Sequence, residues 1–239
     1  MSDNFYDVMK NVIMTLSTSL LLLVSGFLFA QNDLSEYNKT DSKQRRQGKW
    51  VDFYSNGQLR YEGTFKDNRC VGDFIYYDEQ GHVKAVNSFD KTGKKALNKT
   101  YSSDGVLVAT GTYLDQKKDG EWRYYSDNGK LILVEDNKDG KVDGWSRVYN
   151  PLNGKVSEET MYVQGKRQGE GRHYSDNGIL IMECRYDDDK LNGIARVYYP
   201  NGAIKEEGAF KAGAKDGIWK AYDLDGNVIS SERYGSAAE

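Results

Sequence analysis

The chain is short of the residues that most catalysis and metal binding need. Its 239 residues hold only two histidines and two cysteines. His82 stands beside a turn and His173 in a strand, neither with a histidine or cysteine at ligand spacing, so no zinc site is expected. No GxSxG elbow and no glycine-rich phosphate loop occurs. A formal net charge of −3 gives no electrostatic case for nucleic acid. Beyond residue 30 there is no long apolar run. Together these absences point away from an enzyme and from a nucleic-acid binder, and no cofactor or small-molecule substrate is expected.

Acidic clusters raise the question of calcium. Asp136, Asp139 and Asp143 lie in DNKDGKVDG, and Asp187, Asp188 and Asp189 in DDDK. The first resembles an EF-hand loop but lacks the acidic twelfth position and the flanking helices. Both fall at the polar end of a hairpin, where aspartate is ordinary turn chemistry. No metal is expected at either.

What the chain has is a repeat. A glycine opens each unit at Gly48, Gly72, Gly120, Gly144, Gly169, Gly193 and Gly217, with Ala96 in the one gap. The period is 24 residues, with one longer unit between Gly144 and Gly169. A second glycine stands at Gly57, Gly81, Gly105, Gly129, Gly154, Gly178, Gly202 and Gly226, most often after Asn or Asp. Asn-Gly and Asp-Gly predict a type I′ turn, in which both central residues have positive φ. The inserted residue falls in this turn, in NPLNG, where it disturbs no strand.

An aromatic stands before each turn: Phe53, Tyr77, Tyr101, Tyr125, Tyr149, Tyr174, Tyr198 and Tyr222. An aliphatic follows it: Leu59, Val83, Leu107, Leu131, Val156, Leu180, Ile204 and Val228. Six residues on comes a second aromatic, as in Phe65, Phe89 and Tyr113, with Asn137 the exception. Six is an even step, so the aliphatic and the second aromatic are expected on one face of a half-buried strand. One hairpin is marginal alone, and stacked hairpins share a continuous core. The fold expected is all-β: an elongated antiparallel β-hairpin repeat solenoid of about eight units over residues 48–235, with a short tail at 236–239.

The cysteines fit this reading. Cys184 falls in strand LIMECRY as a buried thiol and Cys70 in a loop, five repeats away. In a hairpin array that is roughly 40 to 50 Å, far beyond the ~7 Å that a disulfide spans.

The N-terminus differs in kind. Residues 12–30, VIMTLSTSLLLLVSGFLFA, follow Lys10 and precede a polar segment. They read as a secretory signal peptide cleaved after Ala30, with an uncleaved membrane anchor as the alternative. No cysteine follows the run, so no lipoprotein anchor is expected. Residues 31–47 read as a polar linker, with Lys43, Arg45 and Arg46 a solvated basic cluster. The location expected is the periplasm, the outer envelope or the medium, with membrane association through the N-terminus if it is retained.

One pattern exceeds framework. Lys99, Arg123, Arg147, Arg172, Arg196 and Lys220 each stand two residues before an aromatic, and so on its side of an ideal strand. Lys99, Arg123, Tyr125, Arg147, Tyr149, Arg172, Tyr174, Arg196, Tyr198 and Lys220 are the candidate binding residues. Either the tyrosines pack and the long stems cover them, or the row is a strip for an anionic or glycan-like polymer or a protein partner.

The units YEGTF…GDF, ATGTY…GEW and EEGAF…GIW resemble MORN repeats. The pattern G-x-W-x-x-Y-Y-x-x-N-G-x-L is similar to the bacterial variant known as the YwqK-family antitoxin repeat. The resemblance covers about residues 48–235 and implies a hairpin-repeat fold with protein-binding or scaffold roles, sometimes at membranes. A toxin-neutralising role is the alternative it carries. Asn98, Ser146, Gly171 and Ala195 replace the Trp or Phe held by Trp50, Phe74, Trp122 and Trp219. With Ala96 and Asn137, they are expected to weaken repeats three to six as packing units.

Overall fold

A computed structural model describes residues 34–235; the segment read as a signal peptide and the tail at 236–239 lie outside them. The described chain is all-β, an antiparallel hairpin-repeat meander, as the repeat predicts. It falls into two compact units, residues 34–93 with 103–105, and residues 94–102 with 106–235.

In the first unit a 3-10 turn, Leu34–Glu36, leads to β1 (Lys39–Thr40), which pairs with β2 (Arg46–Phe53). Then β3 (Leu59–Lys66), β4 (Arg69–Tyr77) and β5 (Val83–Phe89) follow, each antiparallel to the one before. Residues 34–47 thus contribute a short strand. Arg45 bridges Asp41 and Asp67, and Arg46 lies 4.8 Å over the Trp50 ring.

The second unit continues the pattern. Its strands are β6 (Lys95–Tyr101), β7 (Leu107–Leu114), β8 (Lys117–Tyr125), β9 (Leu131–Lys138), β10 (Lys141–Tyr149), β11 (Val156–Val163) and β12 (Lys166–Tyr174). After them come β13 (Leu180–Asp187), β14 (Lys190–Leu191), β15 (Gly193–Tyr198), β16 (Ile204–Lys211), β17 (Ala214–Tyr222) and β18 (Val228–Tyr234). Here β14 and β15 are two pieces of one strand opposite β13.

The two ends of the hairpins use different turns, and the type I′ turn is not at Asn-Gly. At Asn56-Gly57 the Gly57 amide donates to the Tyr54 carbonyl at 3.0 Å and the Tyr54 amide to Gln58 at 2.8 Å. Gly57 has φ 84°, whereas Asn56 is not among the positive-φ residues. This is a type I turn closed by a glycine bulge. The Asn56 side chain does other work: Oδ1 accepts from the Gln58 amide and Nδ2 donates to the Glu79 carbonyl of the next turn. The type I′ turns sit at the opposite end, as at Asp67-Asn68 with φ 51° and 67°, where Lys66 pairs with Arg69.

The bulge also overturns the parity argument. Asp52 pairs with Tyr61 but Phe53 with Leu59, so one residue is skipped. Leu59 therefore lies on the side of Phe53 and Val51, and Phe65 on the side of Trp50. The same shift recurs at the other turns, as at Tyr174–Leu180 and Tyr222–Val228. An even step in sequence does not preserve the face when a bulge intervenes.

A second, wider irregularity builds the core. Between Glu62–Ile75 and Thr64–Val71, one residue of β3, Gly63, faces three of β4. The Phe74 ring leans across the gap onto Gly63, where an added Cβ would lie 2.4 Å from the ring. Gly111 meets Trp122 and Gly208 meets Trp219 in the same way, at 2.3 and 2.2 Å. Each indole N–H then donates to the carbonyl after that glycine, Thr112 at 3.0 Å and Ala209 at 2.9 Å. The rings stack edge to face along the sheet: Trp50–Phe65 at 5.6 Å, Phe65–Phe74 at 5.1 Å and Phe74–Phe89 at 5.5 Å. Such pairs add about 0.5–1.5 kcal/mol each beyond area burial.

This geometry corrects the expected weakness of the middle repeats. Where the ring is missing, the residue eleven positions earlier is larger than glycine: Glu135 for Ser146, Thr160 for Gly171, Cys184 for Ala195. Thr160, Cys184 and Ala195 are 2%, 3% and 1% exposed. The slot is filled from the facing strand rather than left empty. Ala96, Asn98 and Asn137, at the other three departures, are buried as well. Both cysteines are free thiols, Cys184 buried and Cys70 partly so.

The filling can be tested by a double-mutant cycle that copies the Cys184–Ala195 pair onto the neighbouring unit. Gly208→Cys alone should cost about 1–3 kcal/mol by overpacking, and Trp219→Ala alone about 3–5 kcal/mol. The double variant should be more stable than their sum by at least ~0.5 kcal/mol in urea unfolding. Simple additivity would contradict the shared slot.

Candidate functional site

The candidate residues come together in one row. In the second unit the register sets Lys99 opposite Thr110, Thr110 opposite Arg123, and Arg123 opposite Val134. It continues Val134–Arg147, Arg147–Glu159, Glu159–Arg172 and Arg172–Glu183. It ends Glu183–Arg196, Arg196–Glu207, Glu207–Lys220 and Lys220–Ser231. Paired residues of an antiparallel ladder project to the same side, so from Arg147 onward cations and carboxylates alternate.

The glutamates are what the sequence pattern missed. Arg147 Nε lies 3.0 Å from Glu159, and Arg172 is 3.9 Å from the same carboxylate and 2.7 Å from Glu170. Arg196 bridges Glu183 at 3.0 Å and Glu207 at 3.3 Å. The tyrosines join in as donors: Tyr174 to Glu159 at 2.8 Å, Tyr198 to Glu183 at 2.6 Å and Tyr222 to Glu207 at 2.8 Å. Tyr77 and Glu62 make the same bond, 2.6 Å, in the first unit. The signal was a glutamate fifteen residues before each of these tyrosines, hidden because it lies on the preceding strand rather than beside the arginine.

These contacts shift the titrating groups. The Tyr198 hydroxyl, and after it the Arg196 guanidinium, hold Glu183 below the usual carboxylate range despite partial burial. Tyr222 and then Arg196 do the same for Glu207. Burial first, then the Glu183 carboxylate, pushes Tyr198 up to about 12. The Glu183 and Glu207 side chains are about a third exposed, 35% and 32%. Each pair is therefore worth ~1 kcal/mol or less, and the row orders a surface more than it holds the fold.

Within the row Arg147 and Arg172 lie over the Trp145 ring at 5.9 and 5.6 Å, and closer cation–ring contacts stand on the other side of the ladder. Lys118 Nζ lies 4.6 Å from the Trp122 centroid, Arg167 4.5 Å from Tyr186, and Lys215 3.9 Å from Trp219. Their stems cover the aromatic core.

Among the described residues no cluster of three or more His, Cys, Asp or Glu could hold a metal. The aspartates of the two acidic clusters instead tie adjacent hairpins. Asp136 accepts the Trp145 amide, Asp143 accepts from Gln164, and Asp188 and Asp189 pair with Lys166 and Arg167. His173 Nδ1 is 3.9 Å from Glu158, and His82 Nδ1 3.1 Å from Asp78. Among the described residues no helix is long and apolar enough to cross a membrane.

A hairpin of this register, with a ring laid on the facing strand, can be compared with known repeats. Five repeats match the MORN repeat variant. The matched residues are 46–67, 118–134, 167–188, 191–212 and 215–234. Two of the matched stretches, 167–188 and 191–212, each carry an arginine, a tyrosine and a glutamate of the row, and 215–234 carries Lys220 and Tyr222. The finer YwqK assignment is not part of this match.

Comparison with curated proteins finds no match. Among solved structures the chain is similar to a mutant of S. aureus TarM, at 15% identity over 46% of this chain and 21% of that one, with a TM-score of 0.33. It is also similar to TcdB2-TccC3, at 11% identity over 77% of this chain and 12% of that one, with a TM-score of 0.21. The chain thus spans about a fifth or less of these proteins, and likeness at this level bears on neither function nor partner.

The row makes acid stability testable. Glu183 and Glu207 ionise more readily folded than unfolded, so their contribution is complete above the ordinary glutamate range near ~4.3 and is lost as pH falls through and below it. Glu183→Gln should flatten the acid limb of the thermal unfolding profile, with little change in its slope above about pH 6. An identical acid limb in the variant would show that Glu183 is not held ionised by Tyr198 and Arg196.

Proposed function

We propose that this chain is a non-catalytic protein-binding module of the bacterial cell envelope. The observation that carries this reading is the row of arginine, glutamate and tyrosine on consecutive strands, partly exposed and fixed by its own hydrogen bonds. A surface whose side chains are already ordered loses less entropy when a partner covers it. The match to MORN repeats supports the same reading, because repeats of this kind serve as binding and scaffold modules. The apolar run at 12–30 after Lys10 supports export.

The hairpin pattern G-x-W-x-x-Y-Y favours one second reading, an immunity-type protein that binds and neutralises a toxin. It uses the same surface and differs only in the partner. An exported chain would meet such a toxin in the envelope rather than the cytosol.

The test is cell fractionation with N-terminal sequencing, followed by crosslinking and capture from envelope extract. The expected result is a mature chain beginning at Gln31 in the envelope fraction, crosslinked to one protein in constant ratio. Charge reversal of Arg147, Arg172 and Arg196 together should abolish that crosslink while the chain stays folded. A cytosolic chain with an intact N-terminus, or a crosslink indifferent to the reversal, would contradict the proposal.

A further inference from the structure

The first long strand and the last differ at their outer edges. On the outer side of β2, the short strand β1 pairs with Arg46 and Gln47, and the Asn38 amide donates to the Lys49 carbonyl at 2.9 Å. The Asn38 side chain then serves the next outward residue. Its oxygen accepts from the Val51 amide at 2.9 Å and its nitrogen donates to the Val51 carbonyl at 3.0 Å. That edge is taken. Among the described residues nothing pairs with the outer side of β18, where residues 228–233 are all exposed.

The outward backbone groups of β18 follow from its counterpart. The Arg185 carbonyl of β13 accepts from the Asn192 amide, between β14 and β15, at 2.9 Å. Arg233 stands two units further on. Its backbone groups, and by the ladder's alternation those of Ser231, therefore turn away from β17.

A charge on this edge does not bar pairing. Glu232 lies opposite Trp219, as Glu135 lies opposite Trp122. Glu135 is inside the sheet and faces Ser146 on its other side. A glutamate at this position thus accepts a serine across the ladder. The Glu232 carboxylate is further held by the Tyr234 hydroxyl of its own strand.

We propose that β18 pairs antiparallel with β18 of a second copy of this chain, on a two-fold axis at Ser231. In that register Glu232 faces Ser230 of the second copy, and Ser230 faces its Glu232, so the Trp–Glu–Ser order of β8 to β10 is met twice. An axis at Glu232 or Arg233 would set like charges opposite, which is destabilising. An axis at Ser230 would set Glu232 against Val228. Because the edge of β2 is taken, it cannot receive β18 head to tail, and association closes at two copies. Val228 and Ile229, 54% and 64% exposed, lie on the joined edge and gain cover.

Sedimentation equilibrium of the full chain tests this. A monomer–dimer equilibrium with a Kd below about 1 mM, and no larger species, is expected. Ser231→Pro removes the amide that bonds across the axis, once in each copy, and leaves the bonds to β17 intact. It should weaken the dimer about tenfold or more. Ser231→Lys sets two lysines opposite each other and should weaken it about threefold or more. An equimolar mixture of Ser231→Lys and Ser231→Glu should associate at least about threefold more tightly than Ser231→Lys alone, a recovery that misfolded variants could not give.

A chain that stays monomeric up to about 1 mM, or a dimer indifferent to Ser231→Pro and Ser231→Lys, would overturn the proposal. Open-ended growth would overturn the two-fold axis, and a mixture no tighter than Ser231→Lys alone would overturn the register. A monomeric chain that captures an envelope protein only while Ser231 is unchanged would make a foreign strand the occupant and overturn the second copy.

Discussion

An aromatic ring laid on a bare stretch of backbone is the contact on which the rest of the structure depends. Among the described residues no helix of more than one turn covers either side of the strands, so the meander must bury apolar surface with its own side chains. Phe74, Trp122 and Trp219 do so by lying flat across the facing strand, which requires Gly63, Gly111 and Gly208 beneath them. The wide bulge that brings three residues opposite each glycine is the backbone's accommodation to the ring. The indole N–H returns a hydrogen bond to the carbonyl beside it. Cationic stems from Lys118 and Lys215 close the ring's outer side. Where the ring is absent, Thr160 and Cys184 take the volume instead.

On the opposite side of the ladder, from Arg147 onward, order comes from charge alternation. Because the strands follow one another as a meander, a residue and its counterpart in the next hairpin recur in the same row. An arginine at one position and a glutamate at another are enough to write a row of alternating charges across β10 to β17. Surface ion pairs contribute little stability each, so the row is better understood as a surface specified in detail. Its glutamates give way to Thr110 and to the buried Val134 toward β7.

Much of this was legible in the chain, and the failures share one cause. The period, the strand positions and the buried Cys184 follow from spacing alone. The turn type did not, because Asn-Gly suits both a type I′ turn and a type I turn closed by a glycine bulge, and only the register separates them. Faces assigned by counting along a strand failed at Leu59 and Phe65, since a bulge breaks parity without leaving a mark in composition. The row of cations was readable at Arg123, Arg147, Arg172 and Arg196, but its glutamates were not, because partners across a ladder are distant in sequence. The replacements at Ser146, Gly171 and Ala195 looked like losses for the same reason: the compensating residue is on another strand.

The most direct measurement is the proton chemical shift of the glycine α-protons. A ring stacked on Gly63, Gly111 and Gly208 shields the protons beneath it. These three glycines should therefore show strongly upfield α-proton resonances, unlike the turn glycines Gly57, Gly129 and Gly202, and Trp219→Ala should return Gly208 alone to an ordinary position. Resonances of all six glycines at unshielded positions would contradict the packing, and with it the register from which both faces of the ladder are built.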